Sequence, residues 1–217
     1  MIDLHTHSLY SDGALVPAEL VRRAAVKGYR AMAITDHADG SNLDFIVPRV
    51  ARAARELSAM LPIGVVPGIE ITHAPPPAIA RLVREARALG ARLVVVHGET
   101  LVEPVAPGTN RAAINAGADI LSHPGLISRA DAALAAKKGV LLEISARKGH
   151  SLGNGHVARM AGLTGAGLVI NTDAHEPGDL ITAEFARQVL QAAGLDKRGV
   201  EGAVLNSRRL VDKIFGG

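Results

Sequence analysis

Nine side chains of metal-ligand type recur along this chain: His5, His7, Asp12, His37, Glu70, His97, His123, Asp173 and His175. They stand in the segments HTH, SDG, TDH, GIE, VVHGE, LSHPG and NTDAH. From His5 the steps to His37, Glu70, His97 and His123 are 32, 33, 27 and 26 residues, and the next step, to Asp173, is 50. One strand–helix repeat of a parallel α/β protein takes about 30 residues, so the last interval holds two repeats. A single histidine at a strand end is usually a hydrogen-bonding residue. Recurrence at strand-end intervals points instead to one polynuclear centre of imidazole and carboxylate donors, which suit Zn, Mn or Fe alike.

Local spacing adds detail. His5 and His7 are two apart, which on a strand puts both side chains on one face, and Asp173 and His175 repeat that arrangement. Two such pairs facing across a barrel mouth can chelate from opposite sides, with the Glu70 carboxylate bridging two ions. His97 and His123 would complete a second ion, and Asp12, His37 and His175 form a third group.

The elements that must position these groups follow from the pattern. Strand-like runs recur at 2–4, 31–35, 65–71, 92–97, 120–123, 140–145 and 168–172. Helical patterns lie between them at 17–28, 48–61, 77–90, 110–117, 131–139 and 153–165, several opened by proline and closed by glycine. A last helical region, 183–215, is broken near Gly194. Alternating strands and helices indicate a parallel α/β fold. An open doubly wound sheet gathers ligands at one crevice, whereas here six of the seven strands contribute. Closure brings all the strand ends together, so the expectation is a seven-stranded (β/α)7 TIM-like barrel spanning 1–217 as one domain. Irregular pieces at 38–47, 98–109 and 146–153 should form the rim.

Composition narrows the function classes. Hydrophobic residues make up 48% but aromatics only 2%, so aliphatic side chains must fill the core, and the composition argues against base-stacking platforms. The net charge of +3 comes without a basic run, which disfavours nucleic acid as the partner and leaves a small anionic metabolite as the better fit. With no cysteine, neither disulfides nor thiolate ligands are available. No leader or membrane-spanning run is visible, which makes a cytoplasmic location the expectation.

Other polar residues are candidates for substrate work. Arg147 follows the one strand that offers no ligand, and a guanidinium there could grip a phosphate bidentately. Arg111 and His150 are further substrate candidates, and Asp39 is a candidate general acid for the leaving group. Glu99, Glu103 and Asp36 are either partners that orient a ligand imidazole or solvated loop carboxylates. Asn110 is read as a helix cap, Lys148 as solvated, and His73, His150 and His156 as surface or rim residues rather than ligands, with His150 within reach of substrate.

The motifs HTHSLYSDG, AITDH, PGIEI, VVHGE, LSHPG and NTDAH resemble, in order, those of the PHP (polymerase and histidinol phosphatase) superfamily, most of all its stand-alone histidinol-phosphatase-like phosphoesterases. The resemblance covers most of the chain. It implies a distorted seven-stranded barrel holding three divalent ions: one on His5, His7, Glu70 and Asp173, a second on Glu70, His97 and His123, and a third on Asp12, His37 and His175. Some members carry histidine where this chain has Asp12. Such a centre is electropositive and would hydrolyse a small phosphate monoester, histidinol phosphate among the candidates, by attack of a metal-activated hydroxide on phosphorus. Two alternatives also follow from resemblance: a 3′-to-5′ exonuclease or phosphodiesterase, and a non-enzymatic RNA-binding barrel like the protein subunit of ribonuclease P. The complete ligand set disfavours the latter.

Overall fold

A computed structural model describes residues 1–216. Its parallel sheet runs in the order β1 (Ile2–Asp3), β2 (Ala31–Ile34), β4 (Gly64–Ile71), β5 (Leu93–His97), β6 (Ile120–Ser122), β7 (Leu141–Ser145) and β8 (Leu168–Asn171). A short β3 (His37–Ala38) also pairs with β4, and it keeps the register of β2: Ile34 faces Pro67 and His37 faces Glu70. β2 and β3 are therefore one strand position interrupted at Thr35–Asp36, and the sheet has the seven expected positions.

The barrel closes between β8 and β1 through mixed contacts. Low in the seam, side chains stand in for the ladder: Asn171 Oδ1 accepts from Leu4 N at 2.8 Å, and the Asp3 carboxylate accepts from Thr172 N at 3.1 Å and its hydroxyl at 2.6 Å. Higher up, backbone pairing takes over, with Asp173 N on His5 O at 2.9 Å and His7 N on Ala174 O at 2.8 Å. The result is a nearly closed parallel (β/α)7 barrel of TIM-like type.

Among the described residues eight α-helices surround it: α1 (Pro17–Val26), α2 (Leu43–Met60), α3 (Pro76–Leu89), α4 (Thr109–Ala116), α5 (Arg129–Lys138), α6 (Asn154–Thr164), α7 (Ala183–Ala192) and α8 (Lys197–Phe215). The break between the last two falls at Gly194, as expected. The start of α2 differs from expectation. Pro48 suggests an N-terminus, yet the helix begins at Leu43 and carries the proline inside. Leu43, Ile46, Val47 and Val50 are all buried on one face, and burying them outweighs the one hydrogen bond that Pro48 cannot make. Much of the 38–47 rim segment is thereby helical.

Strand alternation explains the placement of the centre. Ala31, Ala33, Val66, Leu93, Val95, Ile120 and Val169 pack together inside the barrel, and Val211 and Ile214 of α8 join them. The intervening residues, such as Ile34, Ile69, Val96 and Ile144, pack outward against the helices. Continuing the inward parity upward gives Glu70 on β4, His97 on β5, Ser122 on β6, Glu143 on β7 and Asn171 on β8. The barrel interior is thus apolar below and a cluster of ligand-type side chains above.

Candidate metal centre

His5 and His7 lie just beyond the regular part of β1, their rings 5.0 Å apart. His5 Nε2 is 3.2 Å from Glu70 Oε1, and His7 Nε2 is 3.1 Å from Asp173 Oδ1. Several donor atoms here have no hydrogen-bond partner: His5 Nε2, both His7 nitrogens and Asp173 Oδ1 are buried and unsatisfied. Leaving a buried polar atom unpaired is costly, so the convergence of three of them, His5 Nε2, His7 Nε2 and Asp173 Oδ1, fits a cation. His5, His7, Glu70 and Asp173 are the first expected ligand set.

The third set also converges. Asp12 Oδ1 is 3.2 Å from His175 Nε2 and 3.5 Å from His37 Nε2, and the two imidazole nitrogens are 3.4 Å apart. His7 sits between this group and the first, with ring centroids 4.1 Å from both His37 and His175. Glu70 connects them as well, since its Oε2 lies 2.7 Å from His37 Nδ1.

The second set is differently composed from expectation. His97 and His123 are together, ring centroids 4.4 Å apart, but Glu70 Oε1 approaches His123 Nε2 only to 3.7 Å. The third member of the close group is His150, whose ligand atom lies with those of His97 and His123 within 4.8 Å. Glu103 reaches in from the loop after β5, with Oε2 3.1 Å from His97 Nε2.

The electrostatics are those of a site short of positive charge. Burial opposes protonation of His5, but Glu143, Glu70 and Asp173 overcome it and hold the imidazole pKa well above its ordinary value. His7 and His123 go the other way: burial, followed by neighbouring histidines, keeps both well below it, so they present neutral lone pairs. Burial pushes Glu70 up, but His5 and His37 hold it well below the usual carboxylate range. Asp173 is raised by burial against the pull of His5.

Backbone geometry shows what the arrangement costs. His73, His123 and Asp173 are the described non-glycine residues with positive φ, at 50°, 25° and 53°. Each such residue costs on the order of 1–3 kcal/mol, and such strain persists where surrounding structure enforces it. All three lie at the top of the barrel.

Glu143 is a buried carboxylate at the centre that pattern reading passed over. It is fully buried on β7, and its Oε2 accepts from His5 Nδ1 at 2.8 Å and from Asn171 Nδ2 at 2.9 Å. That bond fixes which imidazole nitrogen of His5 faces the centre. A carboxylate inside the apolar run LLEIS was the available signal. Ser122 does similar work on Glu70, donating to Oε1 at 2.8 Å.

The remaining candidates separate clearly. Arg147 is at the edge of the centre, with Nη1 on the Asp173 carbonyl at 2.9 Å and Nε 3.7 Å from Asp173 Oδ2. Arg111 turns to Asp131 at 2.7 Å, a pairing between α4 and α5, away from the ligand cluster. Asp39 is exposed and bound in a turn by Ser41, whose hydroxyl and amide lower its pKa. Asp39 thus lies outside the ligand cluster, engaged within its own turn.

Asp36 is buried but holds Ser8 and Ser11 of the loop after β1, and touches no ligand imidazole. Glu99 accepts from Gly108 N and Asn110 N at the start of α4. Asn110 does not cap that helix; it joins loops by accepting from Glu99 N and donating to Pro124 O. Lys148 is exposed. His156 Nε2 donates to the Ile127 carbonyl at 2.8 Å, away from the cluster.

Comparison with known proteins agrees with this geometry. Residues 3–146 match the PHP domain. An uncharacterised protein of Methanocaldococcus jannaschii is 47% identical over 206 residues, covering 94% of each chain. A 3′,5′-nucleoside bisphosphate phosphatase of Chromobacterium violaceum is 56% identical, but over only 36 residues, 17% of this chain and 13% of that one. Among solved structures, a chain in an archaeal ribonuclease P bound to mature tRNA superposes with a TM-score of 0.75 at 17% identity, covering 99% of this chain and 91% of that one. At that identity the likeness is one of fold.

Proposed function

The chain belongs to the PHP family of metal-dependent phosphoesterases, and from that premise we propose that it hydrolyses small phosphate monoesters at a centre of three divalent ions. The observation that carries this reading is the convergence of three ligand groups at one barrel mouth, linked by Glu70 and His7, with buried donor atoms that nothing in the protein satisfies. His5, His7, Glu70 and Asp173 would hold one ion, His97 and His123 the second, and Asp12, His37 and His175 the third. Zn, Mn and Fe all suit these donors. Bound divalent ions supply Lewis acidity and a water nucleophile of lowered pKa.

The protein's own groups do the rest. Glu143 and Ser122 orient His5 and Glu70, and burial keeps His7 and His123 neutral and ready to donate lone pairs. Arg147 is about a third exposed at the edge of the centre, so its guanidinium can turn a free N–H edge to the oxygens of an entering phosphate. Asp12, Glu70 and Asp173 together leave a three-ion centre with surplus positive charge, which selects an anionic group. A small phosphorylated metabolite suits this best, with nucleoside bisphosphates and histidinol phosphate as the first compounds to try. Among the described residues no helix is long and apolar enough to cross a membrane.

The test is phosphate release from a panel of histidinol phosphate, nucleotides, nucleoside bisphosphates and sugar phosphates. Protein stripped of metal and reloaded with Zn, Mn or Fe should hydrolyse at least one monoester, and the stripped protein none. Cleavage of phosphodiesters alone would replace this reading with the exonuclease one.

A further inference from the structure

The group beside β5 and β6 contains more donors than the family resemblance assigns to it. We propose that His150 and Glu103 are themselves ligands there, making a site of three imidazoles and a loop carboxylate: His97, His123, His150 and Glu103. This rests on the metal-centre reading above and extends it to two residues outside the recurrent motifs.

His150 is built as a ligand would be. It is 7% exposed, in the loop after β7, and its Nδ1 is fixed by the Thr100 hydroxyl at 2.7 Å. That bond sets the ring and leaves Nε2 facing inward, the arrangement that metal-binding histidines commonly show. Its ring stacks on His123 at 4.0 Å and 15°, and meets His97 edge-on at 6.0 Å. The three ligand atoms lie within 4.8 Å of one another, close enough to share one ion.

Glu103 supplies the anion. Its Oε2 lies 3.1 Å from His97 Nε2, and its Oε1 lies 3.4 Å from His150 Nε2. From outside, His73 Nε2 holds the same carboxylate at 3.0 Å. The loops carrying these groups are packed together. A side chain at Gly149 would meet Val102, and one at Gly153 would meet the backbone of Gly125. His150 and Glu103 are therefore held beside His97 and His123 by the same loop-on-loop contacts.

Two consequences follow. Three imidazoles favour Zn or Fe over Mg or Ca at this position. A site filled by four protein donors also leaves little open coordination, as in closed zinc sites. Glu103, about a third exposed on its loop, is the most accessible of the four donors.

Metal stoichiometry and affinity decide the matter without reference to turnover. Full-length protein stripped of metal is titrated with Zn and with Co(II) against a competing chelator, for wild type, His150→Ala, Glu103→Gln and His156→Gln. One bound equivalent should weaken by about tenfold or more in His150→Ala and in Glu103→Gln, with the Co(II) visible spectrum changing for that equivalent alone. His156→Gln should match wild type. If His150→Ala fails to fold, Glu103→Gln, which alters a loop carboxylate, gives the same reading. Unchanged affinity for every equivalent in both variants would overturn the inference while leaving the phosphoesterase reading intact. Wild-type protein that binds no ion would overturn that reading itself.

Discussion

Replacing Glu143 by glutamine removes a negative charge from the inside of the barrel while nearly preserving shape. In the wild-type protein its Oε2 accepts from both His5 Nδ1 at 2.8 Å and Asn171 Nδ2 at 2.9 Å, and its Oε1 accepts from His123 N at 3.3 Å. A glutamine must turn its carbonyl toward His5 and Asn171, which places its NH2 against the His123 amide, donor against donor. A charge-assisted hydrogen bond contributes about 1.5–3 kcal/mol and a neutral one about 0.5–1.5. The His5 contact alone then weakens by about 1 kcal/mol. The lost His123 contact adds to this, so ion binding at the His5 position should fall by about 10- to 100-fold. Chelator competition on the metal-free variant measures it, and thermal melting in chelator separates the loss from any change in the fold. Glu143→Ala leaves three buried donors unsatisfied and should also lower the stability of the metal-free protein. If Glu143→Gln binds every equivalent within twofold of wild type, the idea that this carboxylate sets the His5 orientation is wrong.

Three more outcomes can be checked directly. His5 is held protonated well above its ordinary range by Glu143, Glu70 and Asp173 despite burial, yet it must be neutral to bind an ion. Ion uptake near pH 7 should therefore release protons, and apparent affinity should rise with pH, about tenfold per unit for each proton displaced; calorimetric heats independent of buffer ionisation enthalpy would contradict this. Arg147→Ala should raise KM by about tenfold or more while metal content stays constant. Loss of metal would instead show that the bond from Arg147 to the Asp173 carbonyl is structural. Gly125 has φ +54°, and an added Cβ would overlap the Glu99 carbonyl. Gly125→Ala should accordingly cost about 2 kcal/mol or more, read as a lower urea midpoint, and a midpoint equal to wild type would refute the packing argument.

The sequence by itself determined the fold class and the positions of the recurrent ligand-type residues. Inward parity on β4 and β5 carries Val66 to Glu70 and Leu93 to His97, and the regular spacing of strand ends required a ring of such positions. Local pattern has a fixed period, so one chain suffices to read it. It misled at Pro48, where packing of Leu43 and Ile46 against the sheet extended α2 past its apparent start. Tertiary structure alone decided what meets what from loops and from buried exceptions. Glu143 lies 138 residues from the His5 ring it orients, and Thr100 lies 50 residues from the His150 it fixes. Arg111 and Asp39, plausible by position in the chain, are engaged by Asp131 and Ser41. A loop side chain has no period to constrain it, and its direction is set by partners that only closure of the barrel brings within reach.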